Sequence, residues 1–224
     1  MSSKGAVRGA KPADLALIET FRWEPDNGFL RLDQHIRRLT RSADCLGFRP
    51  APADLMKRIK AAVTEDAQPD GPLRVRLELT FRGHLDITTT PFAPLGEDTV
   101  WRVRIAATTM PSDDPIYRHK TTRREVYDKA RAEFSTAEAD EVILLNERGE
   151  VCEGTITNLF VEDKDGRLST PPISCGLLAG ILRADLIREG RAKSTLLKRD
   201  DLTTGRLYVG NSLRGLIRAE LAEG

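Results

Sequence analysis

The run EVILLNERGEVCEGTITNLFVED, residues 141–163, holds an apolar segment, a turn at ERGE, and a second apolar segment broken by one carboxylate, Glu153. Apolar runs of about four to eight residues bounded by turn residues read as strands buried in a sheet. A second turn at KDGR follows, and then LSTPPISCGLLAGILRADLIREG reads as a loop entering a helix that Gly180 opens. Two readings of Glu153 stand here: an exposed acid at the start of a strand, or a carboxylate held in an apolar site to meet a partner.

Upstream, YRHKTTRREVYD (117–128) sets Lys120 among Thr and Arg, with His119 before it and no carboxylate until Glu125. One reading is a solvated basic turn leading into a helix over about 121–134; the other is a lysine that does chemistry. Near the N-terminus, LALIETFRW is β-prone, and the Asn27–Gly28 turn before FLRLDQH predicts a hairpin. Ile36, Leu39, Ala43 and Leu46 then recur at helical spacing, with Asp33 as the expected cap and Gly47 as the stop. A second helix is expected over 52–64. PLRVRLELTFRG alternates apolar and charged residues as a strand with one dry face does, HLDITTTPF is its expected hairpin partner, and TVWRVRIAATTM is one more strand. The turn residues of PSDDP predict a linker at 110–115 between domains of residues 1–109 and 116–224. RLYVGNSLRGLIRAEL reads as a strand, a turn at Gly210–Asn211 and a short terminal segment. The whole pattern predicts a mixed α and β protein rich in hairpins, which disfavours a doubly wound sheet.

The chain has 224 residues and a net charge of +1, so no global field steers it to nucleic acid or an anionic membrane. No apolar run approaches the ~20 residues needed to span a bilayer. The cysteines Cys45, Cys152 and Cys175 are scattered, which suits a reducing cytoplasm, and neither they nor His35, His84 and His119 match a metal-ligand spacing. The opening MSSKGAVRGAKPAD reads as a floppy start.

LIETFR, HIRRLTRSADCLGF, HKTTRR, DEVILLNERGEVCEGTITNLFV, PPISCGLLAGILRADLI and VGNSLRGL, in this order, resemble the class IV aminotransferase family, the fold-type IV enzymes that use pyridoxal 5'-phosphate. The resemblance covers nearly everything after residue 14. It implies an α+β fold of the D-amino-acid aminotransferase type: a small N-terminal domain, a larger barrel-like C-terminal domain, the cofactor in the cleft between them, and a homodimer. It makes Lys120 the Schiff-base lysine and Glu153 the partner of the pyridine nitrogen. Arg38, the backbone N–H groups of Ile181 and Leu182, and Ser212 would hold the phosphate. Thr20, Arg22, Arg123 and Arg124 become candidate substrate contacts.

Two departures stand out. The strand and loop that precede LIETFR in many relatives have no counterpart in the fourteen residues before Leu15, and Leu182 stands where branched-chain aminotransferases carry Thr. HKTTRREVYD, PPISCGLLAG and NSLRGL look most like the aminodeoxychorismate lyases of the family, whose dicarboxylate substrate suits surplus arginines. The expected reaction is therefore loss of pyruvate from 4-amino-4-deoxychorismate to give 4-aminobenzoate. An aminotransferase for branched-chain or D-amino acids is the alternative, and a non-catalytic binding module the remote one.

Overall fold

The computed structural model describes residues 15–64 and 71–222; the stretch read as a floppy start lies outside them. The chain forms two compact units. One takes residues up to Phe92 together with Pro115–Arg123, and the other takes Ala93–Asp114 and Arg124 onward.

The first unit is built from β1 (Ala16–Glu24), β2 (Gly28–Phe29), α1 (Leu32–Leu46), α2 (Leu55–Thr64), β3 (Leu73–Thr80) and β4 (Leu85–Pro91). Its strands form an antiparallel sheet in the order β2-β1-β3-β4. The register pairs Leu17 with Leu79, Glu19 with Leu77 and Phe21 with Val75, so these residues share one face. That face is dry and lies against α1, whose His35 ring is 5.3 Å from that of Phe21. Leu73, Val75, Leu77 and Leu79 are all buried, each contributing roughly 1.5–3 kcal/mol. The opposite face carries Thr20 beside Arg76 and Arg22 beside Arg74.

Helix α1 departs from expectation at its start. It enters through Arg31, whose φ is 56°, and Asp33 sits in the first turn as an ion-pair partner of Arg37 instead of capping it. Its stop is as read, since Gly47 takes φ 74° and its N–H returns to the Ala43 carbonyl. Of the hairpin partner FLRLDQH only Phe29 is strand, joined in β2 by Gly28 of the expected turn, because the chain turns into α1 at once.

The second unit is built from β5 (Val100–Met110), α3 (Glu125–Arg131), β6 (Glu141–Asn146), β7 (Val151–Gly154), β8 (Asn158–Glu162), β9 (Leu168–Thr170), α4 (Ile181–Arg188), β10 (Ala192–Ser194), β11 (Arg206–Asn211) and β12 (Gly215–Leu221). They form one mixed sheet in the order β10-β9-β8-β11-β12-β5-β6-β7. β7 and β8 are far apart in that order, yet only residues 155–157 join them. A flat sheet would separate them by about 24 Å at ~4.8 Å per strand, whereas four Cα steps reach at most ~14 Å. The sheet must therefore curl, and it forms a half-barrel. Val103, Ile143, Leu159, Val209 and Ile217 fill one core cluster, with Trp101 packed against it.

Three sequence expectations change. The boundary read at 109–116 moves, because β5 bonds in parallel to β6 and β12 and so belongs to the second sheet. The chain crosses instead after Phe92, within PFAPLGED, and Pro115–Arg123 rejoins the first unit. The helix expected over 121–134 is only Glu125–Arg131, since residues 120–122 bond to β1. The terminal segment is a full strand, β12, and the turn before it lies at 212–214, one residue beyond Asn211. Among the described residues no helix is long and apolar enough to cross a membrane.

Candidate active site

In the first unit, the lysine segment fills the edge of β1 that β2 leaves open. The Ile18 N–H donates to the Lys120 carbonyl at 2.8 Å, and the Thr122 N–H donates to the Ala16 carbonyl at 2.9 Å. The Ala16 N–H in turn donates to Thr122 Oγ1 at 3.0 Å. Lys120 is thus fixed beside Ile18 and Glu19 by strand-like bonds, and it is half-buried. Its neighbour His119 lies with Nδ1 2.9 Å from Ser42 Oγ on α1.

Glu19 is 1% exposed and faces α1. Arg38 clamps it with two parallel bonds, Nε to Oε1 at 2.8 Å and Nη2 to Oε2 at 2.7 Å, and His35 Nδ1 lies 2.6 Å from Oε2. Burial alone would push the Glu19 carboxyl up, but the Arg38 charge and the bonds from Arg38 and His35 outweigh it and hold the group below its ordinary value. Burial pushes His35 down, against the opposing pull of Glu19, so its ring is neutral and donates Nδ1–H. Arg38 therefore reaches any anion from a guanidinium already oriented by Glu19.

In the second unit, Glu153 is 4% exposed, which removes the reading of an exposed strand-start acid. Tyr127 Oη donates to its Oε1 at 2.7 Å, the Leu178 N–H to the same oxygen at 2.9 Å, and Asn158 Nδ2 to Oε2 at 3.0 Å. Donors at both oxygens suit an ionised carboxylate. Helix α4 starts at Gly180 without a side-chain cap. Among the described residues, no backbone carbonyl accepts from the N–H groups of Ile181 and Leu182. Free amides at a helix start suit a phosphate. A side chain at Gly180 would collide with Asn158, its Cβ only 3.0 Å from Asn158 Cγ, so the close approach requires glycine. Leu182 packs its side chain with Phe160 and Leu186 and has only its backbone to offer a ligand.

Ser212 is buried in the turn between β11 and β12. Asn211 Oδ1 accepts the N–H groups of Leu213 at 3.1 Å and Arg214 at 2.9 Å, which closes that turn. Arg124 Nη2 donates to the Thr155 carbonyl at 2.8 Å, with its guanidinium 5.0 Å from the Tyr127 ring centre. The Arg123 N–H donates to Thr121 Oγ1 at 3.2 Å. Thr20 and Arg22 lie on the sheet face opposite Glu19, and Arg22 pairs with Glu24 at 3.0 Å. The first unit therefore contains Lys120, Arg38, Thr20, Arg22 and Arg123, with Thr20 and Arg22 on the face opposite the Glu19–Arg38 pair, and the second contains Glu153, Ile181, Leu182, Ser212 and Arg124.

Glu19, Tyr127, Asn158 and Asn211 carry no role in the sequence reading, and His35 enters it only as a histidine whose spacing matches no metal site. The available signal was a carboxylate in phase with apolar neighbours, as Glu19 is with Leu17 and Phe21. Burial pushes the Cys152 thiol up and that of Cys175 to about 11, which makes these two poor nucleophiles.

The residue pattern described as amino-transferase class IV matches residues 16–221. The chain belongs to the class IV aminotransferase family. Enzymes of this family work with pyridoxal 5'-phosphate, which sets aside the non-catalytic alternative. A relative from Schizosaccharomyces pombe, provisionally named an aminodeoxychorismate lyase, is 27% identical over 203 residues, 88% of this chain and 86% of that protein. A solved structure from Mesorhizobium loti, provisionally named an amino-acid aminotransferase, is 46% identical with a TM-score of 0.89. It covers 93% of this chain, which spans 100% of that one. A third, provisionally named a branched-chain amino acid aminotransferase from Thermotoga maritima, has a TM-score of 0.80 at 25% identity, over 92% of this chain and 76% of that one.

Proposed function

We propose that this chain is a 4-amino-4-deoxychorismate lyase, working as a cytoplasmic homodimer. The observation that supports the chemistry is Glu153, a buried carboxylate with donors at both oxygens and so an acceptor suited to a protonated pyridine nitrogen. Pyridoxal phosphate, when bound, supplies an electron-withdrawing ring that accepts the charge developing on the substrate carbon. Lys120 would hold the cofactor's carbonyl carbon, while Arg38, the amides of Ile181 and Leu182, and Ser212 would hold its phosphate. The uncapped start of α4 and the pre-oriented Arg38 fit that group.

Lys120 would serve as the base that takes the proton from the substrate ring carbon that bears nitrogen. The electron pair left there expels enolpyruvate from the neighbouring carbon, and the six-membered ring becomes aromatic. The enol gains a proton at carbon and leaves as pyruvate, so no amino acceptor enters the balance. The two substrate carboxylates would be met by guanidinium groups, for which Arg22, Arg123 and Arg124 are the candidates, with the Thr20 hydroxyl as a further candidate contact. The relative from Schizosaccharomyces pombe supports the same reading.

A second reading, amino-group transfer from an amino acid to a keto acid, draws on the relative from Mesorhizobium loti. The deciding experiment gives the purified protein pyridoxal phosphate and 4-amino-4-deoxychorismate without a keto acid. Stoichiometric 4-aminobenzoate and pyruvate support the lyase. No products, with transfer from branched-chain or D-amino acids to 2-oxoglutarate, would replace it by the aminotransferase.

A further inference from the structure

Another buried carboxylate, Glu141, lies outside every group assigned to cofactor or substrate. It is the first residue of β6, is 0% exposed, and accepts five bonds. Oε1 takes the Val142 N–H at 2.8 Å, the Thr155 N–H at 2.9 Å and Thr155 Oγ1 at 2.6 Å. Oε2 takes the Ile156 N–H at 3.1 Å and Thr157 Oγ1 at 2.8 Å. None of these donors is a cation. Four of the five belong to residues 155–157, the link between β7 and β8 that the curled sheet requires.

The link does more than close the sheet. The Thr155 carbonyl accepts Arg124 Nη2 at 2.8 Å, and the Ile156 carbonyl accepts Asn211 Nδ2 at 3.1 Å. Asn211 in turn closes the turn that bears Ser212. Glu153 ends two residues before the link, and Asn158, which donates to Glu153, begins immediately after it. The N–H groups of Thr155 and Ile156 and the hydroxyls of Thr155 and Thr157 point at Glu141, with the Thr155 N–H shared with the Val142 carbonyl at 3.1 Å. The Thr155 and Ile156 carbonyls point at Arg124 and Asn211, and the Thr157 carbonyl accepts the Gly154 N–H at 2.8 Å. Gly154 completes the fit, since a Cβ there would lie 2.7 Å from the Glu141 carboxylate.

From this arrangement we infer that Glu141 is a positioning residue: a buried carboxylate that folds the 154–157 link and so sets Glu153, Asn158, Arg124 and the Ser212 turn. Its bearing on cofactor binding rests on the function proposed above, but its control of the link does not. Glutamine has the same shape yet would turn an NH2 toward backbone donors that cannot rotate away. Glu133 is the control, because it also accepts two backbone bonds in the second unit, from Ala107 at 2.6 Å and Thr108 at 2.8 Å, without touching the link.

The test is amide hydrogen exchange of the cofactor-free protein in Glu141→Gln and Glu133→Gln, followed by pyridoxal phosphate titration read by absorbance. Glu141→Gln is expected to speed exchange at least tenfold at 155–158 and at 213–214, leaving 159–161 protected, and to weaken cofactor affinity at least tenfold. Glu133→Gln is expected to speed exchange near 107–108 and keep affinity within twofold. Unchanged exchange at 155–158 and 213–214 in Glu141→Gln overturns the inference, as does loosening of the whole unit or an affinity loss equal in the two variants. Should the parent protein take up no cofactor while the exchange pattern appears as expected, the proposed function fails and the control of the link by Glu141 stands.

Discussion

Glu19 in the first unit and Glu141 in the second are both carboxylates sealed from water, and they are balanced by opposite means. Glu19 is met by a guanidinium and a neutral imidazole, whereas Glu141 is met by backbone amides and threonine hydroxyls. An ion pair keeps two charges that can be separated by mutation, leaving one of them stranded. A carboxylate held by dipoles leaves only unsatisfied donors behind. The two regions should therefore differ in how much a deletion costs and in how they respond to acid.

The largest effect is expected from Glu19→Ala, which removes the carboxylate that takes two bonds from the Arg38 guanidinium, 13% exposed at its side chain, and so unbalances a buried charge. Loss of stability by about 3–5 kcal/mol is expected from urea unfolding of the cofactor-free protein. Glu141→Gln, at equal burial, is expected to cost about 1–3 kcal/mol because no charge is stranded. Equal losses in the two variants would break the comparison.

Acid sharpens it further. Glu19 and His35 both have folded-state values held below their ordinary 4.5 and 6.5, so the folded protein binds fewer protons than the unfolded chain. Their contribution is full above pH 6.5, declines below that through His35, and declines again below 4.5 through Glu19. Each group sets a slope of at most about 1.4 kcal/mol per pH unit. Urea midpoints measured between pH 8 and pH 5 should fall with pH, and His35→Gln should flatten the upper part of the curve. A midpoint that rises on acidification would refute the assignment of a neutral His35. The smallest effect is expected from Tyr127→Phe, which removes one donor from Glu153 while Leu178 and Asn158 remain. Its cost should be about 1 kcal/mol in the same assay, and a loss as large as that of Glu19→Ala would show that Glu153 depends on the phenol alone.

Local pattern made much of this fold legible. The strict alternation of β3 showed its dry face, Gly47 marked the end of α1, and EVILLN read as a buried strand before any coordinates. What failed was long-range pairing. No local signal tells β5 to join β6 and β12 instead of the sheet preceding it in sequence, so nothing in the sequence marks the crossing at Phe92 and the turn residues of PSDDP point to a different boundary. The site shows the same division. Lys120 and Glu153 stand out as candidates because their motifs are compact in sequence. Glu19 and Glu141 do not, because a lone glutamate in an apolar run reads as a strand-end acid until its partners, 16–19 residues away for Glu19 and mostly 14–16 away for Glu141, fold over it. Asp33 shows the converse, a residue of the right type for a cap that the left-handed Arg31 makes unnecessary.

The proposed function requires Lys120 and Glu153 to serve one cofactor-dependent reaction. Its most direct test is the visible absorbance of the purified protein titrated with pyridoxal phosphate, with 4-amino-4-deoxychorismate then added and both products assayed in the same cuvette. A saturable band that is absent in Lys120→Ala, together with 4-aminobenzoate and pyruvate formed in equal amounts without a keto acid, is the predicted result. A band that persists unchanged in Lys120→Ala, or no band in the parent protein, would contradict it.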